Sequence, residues 1–442
     1  MKLVNTHKQL VLGMVFILSS LQMINAQTWT LQQCIDSAEV HNKRLRINSL
    51  EMESSLQQVR VVEGNRIPKL NLNADYKYFT DLPYQLMPMS VFGGPEGQFK
   101  EAQFGVPHHL NADLTLAIPI YNPELYGNIK TSRAASELTR IQNLKSKEEV
   151  FFEVSTVYYN AQIIAQSLDF IDSNILNARQ LLKNVELLQT QELVTGTDVN
   201  RARLKLLQLE KERESTTVKY DRVINVLNFL MGRALNEPIK VNKTIDFEKI
   251  ENYTRETSLS VQLAEARNTL LKTQINTLQK TRYLPSLNAF ASYGTTGYGY
   301  DEEPNRFLNF YPKGLAGIQL SMPLFNGMVT KRKVISKQLE IDASSLQLEL
   351  MQDQTDVNIE NALSEKDNAN RTMEIVEEQL KLAELIYDQT ILQHSEGIVS
   401  LTDVIMAETD VNKAQMEYLA TIIEYLKADL KLKKESGNLL KN

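Results

Sequence analysis

The sequence predicts a membrane α+β protein with an internal two-fold repeat: short amphipathic strands continuous with long coiled-coil helices. Three observations predict it. First, a strand that turns into a helix occurs twice. LTLAIPIYNP (114–123) aligns with IQLSMPLFNG (318–327), which sets Pro119 opposite Pro323 and Asn122 opposite Asn326 at a spacing of 204. TGTDV (195–199) aligns with SLTDV (400–404), which sets Asp198 opposite Asp403 at a spacing of 205. Both halves have therefore kept the length between strand and distal motif, and a repeat on this scale fixes the architecture. Second, four segments alternate apolar and polar residues. Third, apolar residues in the remainder recur every 3.5 positions.

Taken in order, the first element is a secretory signal over 1–26. Lys2, His7 and Lys8 form a basic region, Leu10 to Leu21 an apolar one, and Ile24-Asn25-Ala26 a cleavage site. Twelve apolar residues fall short of the ~20 that span a bilayer. Cys34 lacks the small residues of a lipid-attachment motif before it and is the single cysteine of the 442-residue chain, so no intrachain disulfide is expected. A net charge of −6 gives no footprint for nucleic acid.

The first two alternating runs are the clearest. Leu70, Leu72, Ala74, Tyr76 and Tyr78 interleave with Asn71, Asn73, Asp75 and Lys77, and Leu110 to Ile120 interleave with Asn111, Asp113 and Thr115. The second pair, around Leu287–Tyr293 and Ile318–Leu324, is softer. Such runs have the length of a tilted transmembrane strand, with one face for lipid and one for water. Tyr76, Tyr78, Tyr121 and Tyr293, read as lying near strand ends, suit an aromatic girdle. Four strands cannot close a barrel and open edges are not tolerated in lipid, so several chains must pool their strands. Residues 80–109 and 294–313 read as exposed loops. His108, His109, Met87 and Met89 lack metal-ligand spacing.

The helices follow. Val150, Val154, Val157, Ala161, Ile164, Leu168, Ile171, Ile175, Ala178, Leu182 and Val185 step 4,3 without a break, and the run from Val199 to Leu230 steps back. Val404 to Leu432 repeats the pattern, as coiled coils do. A helix from 132 to 191 is ~90 Å long and the return helix from 198 to 231 only ~50 Å. Stacking helix 257–281 on that return helix would make up the difference. Helix 31–64 would likewise complete the second return helix. The resulting organisation is a first repeat over 27–232 (strands about 68–79 and 109–121, tip about 191–199), then an equatorial linker over 233–256. A second repeat covers 257–436 (strands about 285–295 and 313–325, tip about 395–403), with a tail over 437–442.

RIPKLNLNADYKY (66–78), RYLPSLNAFASYG (282–294), AIPIYN (117–122), SMPLFNG (321–327), ELVTGTDV (192–199) and EGIVSLTDV (396–404) together resemble the TolC family of outer-membrane efflux ducts. The resemblance implies a homotrimer in which each protomer gives four strands to one twelve-stranded β-barrel in outer-membrane lipid. That barrel would be continuous with a periplasmic α-helical barrel. It also implies docking to a periplasmic membrane-fusion adaptor and an inner-membrane pump of RND or ABC type. Export would be passive, without enzyme activity or cofactor.

By the same resemblance, the hairpin tips dock the adaptor through Thr197, Asp198, Val199, Gly397, Thr402, Asp403 and Val404. Asp198, Asp403 and His394 are the pore-mouth candidates. Thr195 and Ser400 start capping boxes, so helix capping is their independent role. The family's glycine position in the first tip holds Glu192. The gate positions that usually carry an aromatic, a basic and an acidic residue hold His394, Val399 and Met406. A histidine there is expected to be solvated. The competing reading is a periplasmic coiled-coil scaffold or adhesin without a pore, against which the two-faced strands argue.

Overall fold

The computed structural model describes residues 28–245 and 254–440. The signal sequence read at 1–26 lies outside the described residues. In chain order the elements are β1 (Thr28–Trp29), α1 (Leu31–His41), α2 (Lys43–Gly64), β2 (Lys69–Tyr78), β3 (Tyr84–Pro88), β4 (Phe99–Gln103) and β5 (His108–Tyr121). There follow α3 (Pro123–Thr190), α4 (Gly196–Met231), β6 (Lys240–Val241), α5 (Leu259–Tyr283), β7 (Ser286–Tyr300), β8 (Phe307–Ser321), α6 (Val329–Ser395) and α7 (Leu401–Glu435). Two compact units divide them, one of residues 51–140 with 264–348 and one of the remainder.

The first of these units holds an antiparallel sheet in the order β2-β5-β7-β8, with both outer strands unpaired on one side. Its register keeps the alternation in phase. Leu72 lies across from Leu114 and Leu114 from Tyr293, while Asn73 lies across from Asp113 and Asp113 from Gly294. One face is therefore apolar apart from His108 and Thr295. The other carries a polar network in which Lys313 Nζ lies 3.0 Å from Asp113 and the Thr296 hydroxyl donates to Asn111 Oδ1 at 3.0 Å.

Two sequence expectations fail in this sheet. Residues 294–300 and 307–313, read as loop, are strand, and the turn is confined to 301–306. Their glycines mark close packing, because a Cβ on Gly294 would lie 2.1 Å from the Ala112 carbonyl oxygen and one on Gly297 2.7 Å from the Phe310 ring. Tyr293 consequently sits in mid-strand rather than near an end. Within 80–109, β3 and β4 form a separate hairpin.

The second unit is helical. α3 and α6 contain 68 and 67 residues, and their return helices α4 and α7 contain 36 and 35. The predicted seam is buried: Val150, Val154, Ala161, Ile171, Ile175, Ala178 and Val185 all point inward. Buried Asn174 donates to Gln415 Oε1 at 3.0 Å and also bonds Asn412, which ties α3 to α7. Cys34 lies in the core with Leu227 and Met231, where burial pushes its thiol up to about 12. β1 and β6 pair in parallel beside it.

The expected helix stacking is corrected here. α1 and the start of α2 meet the end of the first return helix α4, not of the second. Asn42 breaks the predicted 31–64 helix in two. Its side-chain amide donates to the Leu230 carbonyl at 2.7 Å while its oxygen caps Arg44 and Leu45. Gly232 ends α4 at φ 73, and a Cβ there would lie 2.3 Å from the His41 carbonyl oxygen. The segment entering α5 instead meets the end of α7, where Glu256 N donates to Ser436 O at 3.1 Å and Asn438 Nδ2 to Thr254 O at 2.7 Å. Helix lengths satisfied both pairings equally, and only these end contacts distinguish them.

Candidate functional site: the paired hairpin tips

Each tip is built by the same local chemistry. In the first, Leu193 N donates to Leu188 O and Glu192 N to Gln189 O. In the second, Ile398 N donates to Gln393 O and Gly397 N to His394 O. Both are the paired bonds that close a helix around a left-handed residue. That residue is Gly397 at φ 75 in one tip and Glu192 at φ 57 in the other. The glycine missing from the first repeat is thus replaced by a glutamate that accepts the same conformation.

The return helices start with matching caps. Thr195 Oγ1 accepts from Asp198 N at 3.3 Å, and Asp198 Oδ2 accepts from Thr195 N at 3.1 Å and from its hydroxyl at 2.7 Å. Ser400 and Asp403 repeat this at 3.4, 2.9 and 2.6 Å. Hydrogen bonds from the capping hydroxyl and amide hold both carboxyls below the usual carboxylate range, with smaller help from His394.

The two tips belong to one cluster. Val185, Val199, Ala202 and Leu401 are buried together, and Tyr387, Val404, Ala407 and Val411 form the adjoining group. Arg201 Nη1 donates to the Thr402 hydroxyl at 2.9 Å, and Lys205 Nζ to the Thr409 hydroxyl at 3.2 Å. Glu408 lies behind them. Both its carboxylate oxygens are buried without a hydrogen bond, the Lys205 ammonium is 4.0 Å away, and burial raises its pKa.

The structure corrects two sequence assignments. Val199 and Val404 are 5% and 0% exposed, so neither side chain is open to an adaptor; they occupy the coiled-coil seam. Thr197, Gly397, Thr402 and Asp403 are exposed. His394 is half-buried rather than solvated. Its Nδ1 contacts the Val399 carbonyl oxygen at 3.0 Å and must carry a proton to do so, and its Nε2 is buried without a partner. Leu193 and Ile398, which sequence reasoning missed, are 67% and 68% exposed. An apolar residue just after the left-handed position was the available signal, since such residues usually fold back onto the helix. Among the described residues, no cluster of three or more potential metal ligands occurs.

Residues 252–438 match the family model described as outer membrane efflux protein. That span lies in the second half of the chain. The match supports a place at the outer membrane. The TolC-like resemblance of the tips and strand ends agrees with this match.

Among solved structures, the chain is similar to the outer membrane protein VceC of Vibrio cholerae, with a TM-score of 0.72 and 15% identity over 92% of this chain and 96% of that one. It is also similar to the outer membrane channel CmeC of Campylobacter jejuni (TM-score 0.73, 13% identity, 92% and 85% covered). A further likeness is to the MtrE outer membrane channel of Neisseria gonorrhoeae in its open state (0.72, 16%, 92% and 89%). At these identities the likeness is one of fold. No curated protein matches the chain.

Proposed function

We propose that the chain is one protomer of a homotrimeric exit duct for a tripartite efflux or type I secretion system. The observation that carries this reading is the four-stranded sheet with an apolar face, a polar face and two open edges. Open edges in lipid must be paired, and pairing β8 of one copy with β2 of the next closes a twelve-stranded barrel with its polar face inside. A second feature supports it. Ile335, Leu339, Leu346, Leu350 and Val357 form an exposed heptad stripe on α6, which a neighbouring copy would cover.

In this reading the tips meet a periplasmic adaptor at the exposed Leu193 and Ile398, flanked by Thr197, Gly397 and Thr402. The inner-membrane pump, of RND or ABC type, supplies the energy. Asp198, Asp403 and His394 line the closed mouth, and the Arg201–Thr402 and Lys205–Thr409 bonds take the place of the gate residues absent at His394, Val399 and Met406.

Conductance tests it. The purified protein is expected to run as a detergent-stable trimer and to form pores in planar bilayers. Asp403→Asn should retain most of the cap yet change the cation dependence of conductance. A strand-free soluble protein would end the duct reading, and unchanged conductance in the variant would remove the aspartate from the pore.

A further inference from the structure

The sheet has oppositely charged ends. Near the helices, the residues at 60–68, 121–133, 276–284 and 322–333 carry Arg60, Arg66, Lys130, Arg133, Lys280, Arg282 and the run Lys331-Arg332-Lys333. Their carboxylates are Glu63, which Arg133 engages at 2.5 Å, and Glu124. The loops at the other end reverse the balance, with Asp81, Glu96, Glu101 and the run Asp301-Glu302-Glu303 against Lys100 and Arg306.

At the basic end a cleft of about 480 Å³ opens between the starts of α3 and the end of α5, with Tyr121, Tyr126, Lys130, Lys280 and Leu284 in its wall. Local packing holds it. Gly127 allows the helices to approach so closely that a Cβ there would lie 2.2 Å from Thr277 Cγ2. A break in the register between Pro119 and Tyr121 sets Tyr121 across from Leu287, on the apolar face of the sheet with Ile118 and Ala289. The Arg66 guanidinium lies over the Tyr126 ring at 5.5 Å. Lys130 and Lys280 have no carboxylate partner among the described residues.

We infer that this cleft binds the headgroup of an anionic phospholipid in the periplasmic leaflet. The inference rests on the duct reading, which turns the apolar face towards lipid. Two unpaired ammonium groups fit a phosphate, tyrosines at the end of an apolar band lie at headgroup depth, and Leu284 and the sheet face continue into acyl-chain territory. A run of three cations at the start of α6 extends the same field around the protomer.

Native mass spectrometry of the detergent-solubilised full-length assembly, with phosphatidylglycerol or phosphatidylcholine added, tests it. The wild type should retain phosphatidylglycerol at least tenfold better, and the preference should shrink in high salt. Lys130→Gln with Lys280→Gln should bring that preference close to unity, about threefold for each cation removed. Lys100→Gln with Arg306→Gln, at the acidic end, should leave it unchanged. Equal retention of the two lipids by the wild type overturns the inference, as does a preference that survives the first pair of substitutions in an intact assembly. Displacement of the lipid by millimolar inorganic phosphate would make the cleft a free-anion site and overturns it too. Conductance measured on the same preparation separates the two readings: a conducting protein without lipid preference sinks only this inference, and a non-conducting one sinks the duct.

Discussion

The two hairpin tips have the same backbone and different interiors. Caps, helix-closing bonds and exposed apolar residues are repeated at matching places. Yet Glu408 is buried behind the second tip, whereas its counterpart Arg203, one repeat earlier, lies exposed and pairs with Glu186 at 3.0 Å. The difference teaches that the two copies share the turn while only the second carries a charge in its seam at this position. A buried charge is retained at a cost unless it has a partner. Lys205 of the first hairpin is that partner, so the asymmetry links the two copies.

The largest expected effect breaks that link. Lys205→Met leaves the Glu408 carboxylate buried beside no cation and should cost about 3 kcal/mol of stability at pH 8. Adding Glu408→Gln should recover most of it. Thermal unfolding of the two variants and their combination checks this, and a full loss in the double variant would remove Glu408 as the cause.

The first repeat has its own buried carboxyl. Glu148 on α3 is pushed up to about 7, chiefly by burial, while Lys434 opposes the shift and Glu435 adds to it. The residues at its level in the second repeat, Gln352 and Asp353, are exposed. A carboxyl raised in the folded state binds protons more tightly there than in the unfolded chain. Its stabilising contribution is therefore complete below the ordinary value of 4.5 and lost as pH rises to about 7. Glu148→Gln should leave stability unchanged at pH 4 and raise it by about 2 kcal/mol at pH 8. Denaturant midpoints at the two pH values read it directly.

A smaller effect separates the left-handed residues. No neighbour lies within 4 Å of a Cβ built on Gly397, so the backbone alone sets the cost of a side chain there. Gly397→Glu should destabilise by about 1 kcal/mol, and Glu192→Gly should stabilise by less, because glycine also loses more freedom on folding. Equal and opposite shifts in urea midpoint would show that the two turns are energetically interchangeable.

These contrasts also mark what the sequence made legible. Periodicity found the seams, since Val150 to Val185 is buried as its heptads require, and alternation found the strands of the first repeat because Asn and Asp stand out between leucines. The second strand pair was cut short. Gly294, Gly297 and Gly299 carry turn chemistry in sequence but serve close packing in the sheet. The helix stacking was not legible at all, because it depends on contacts such as Asn42 to Leu230 that leave no periodic trace. At the site, the capping pattern was readable from Thr195 and Ser400. The burial of Glu408 was not, because a lone glutamate in a heptad looks like any solvated one. Val199 and Val404 were assigned to docking by position in a motif although their seam spacing already pointed inward.

The smallest effect tests the likeness itself. Thr195→Ala and Ser400→Ala each remove one hydroxyl acceptor from a helix start and should cost about 0.5–1 kcal/mol. The two losses should be equal, since the bond lengths differ by no more than 0.2 Å between the caps. Both should also fade on acidification. Asp198 and Asp403 are held below their ordinary value of 3.8, so their contribution is present above it and is lost as pH falls further. Hydrogen exchange at the amides of Asp198 and Asp403, followed from pH 7 down to pH 3, reports each cap separately. Loss of protection at one tip well before the other would show that the shared geometry conceals unequal caps, and that the second repeat's buried charge reaches its tip after all.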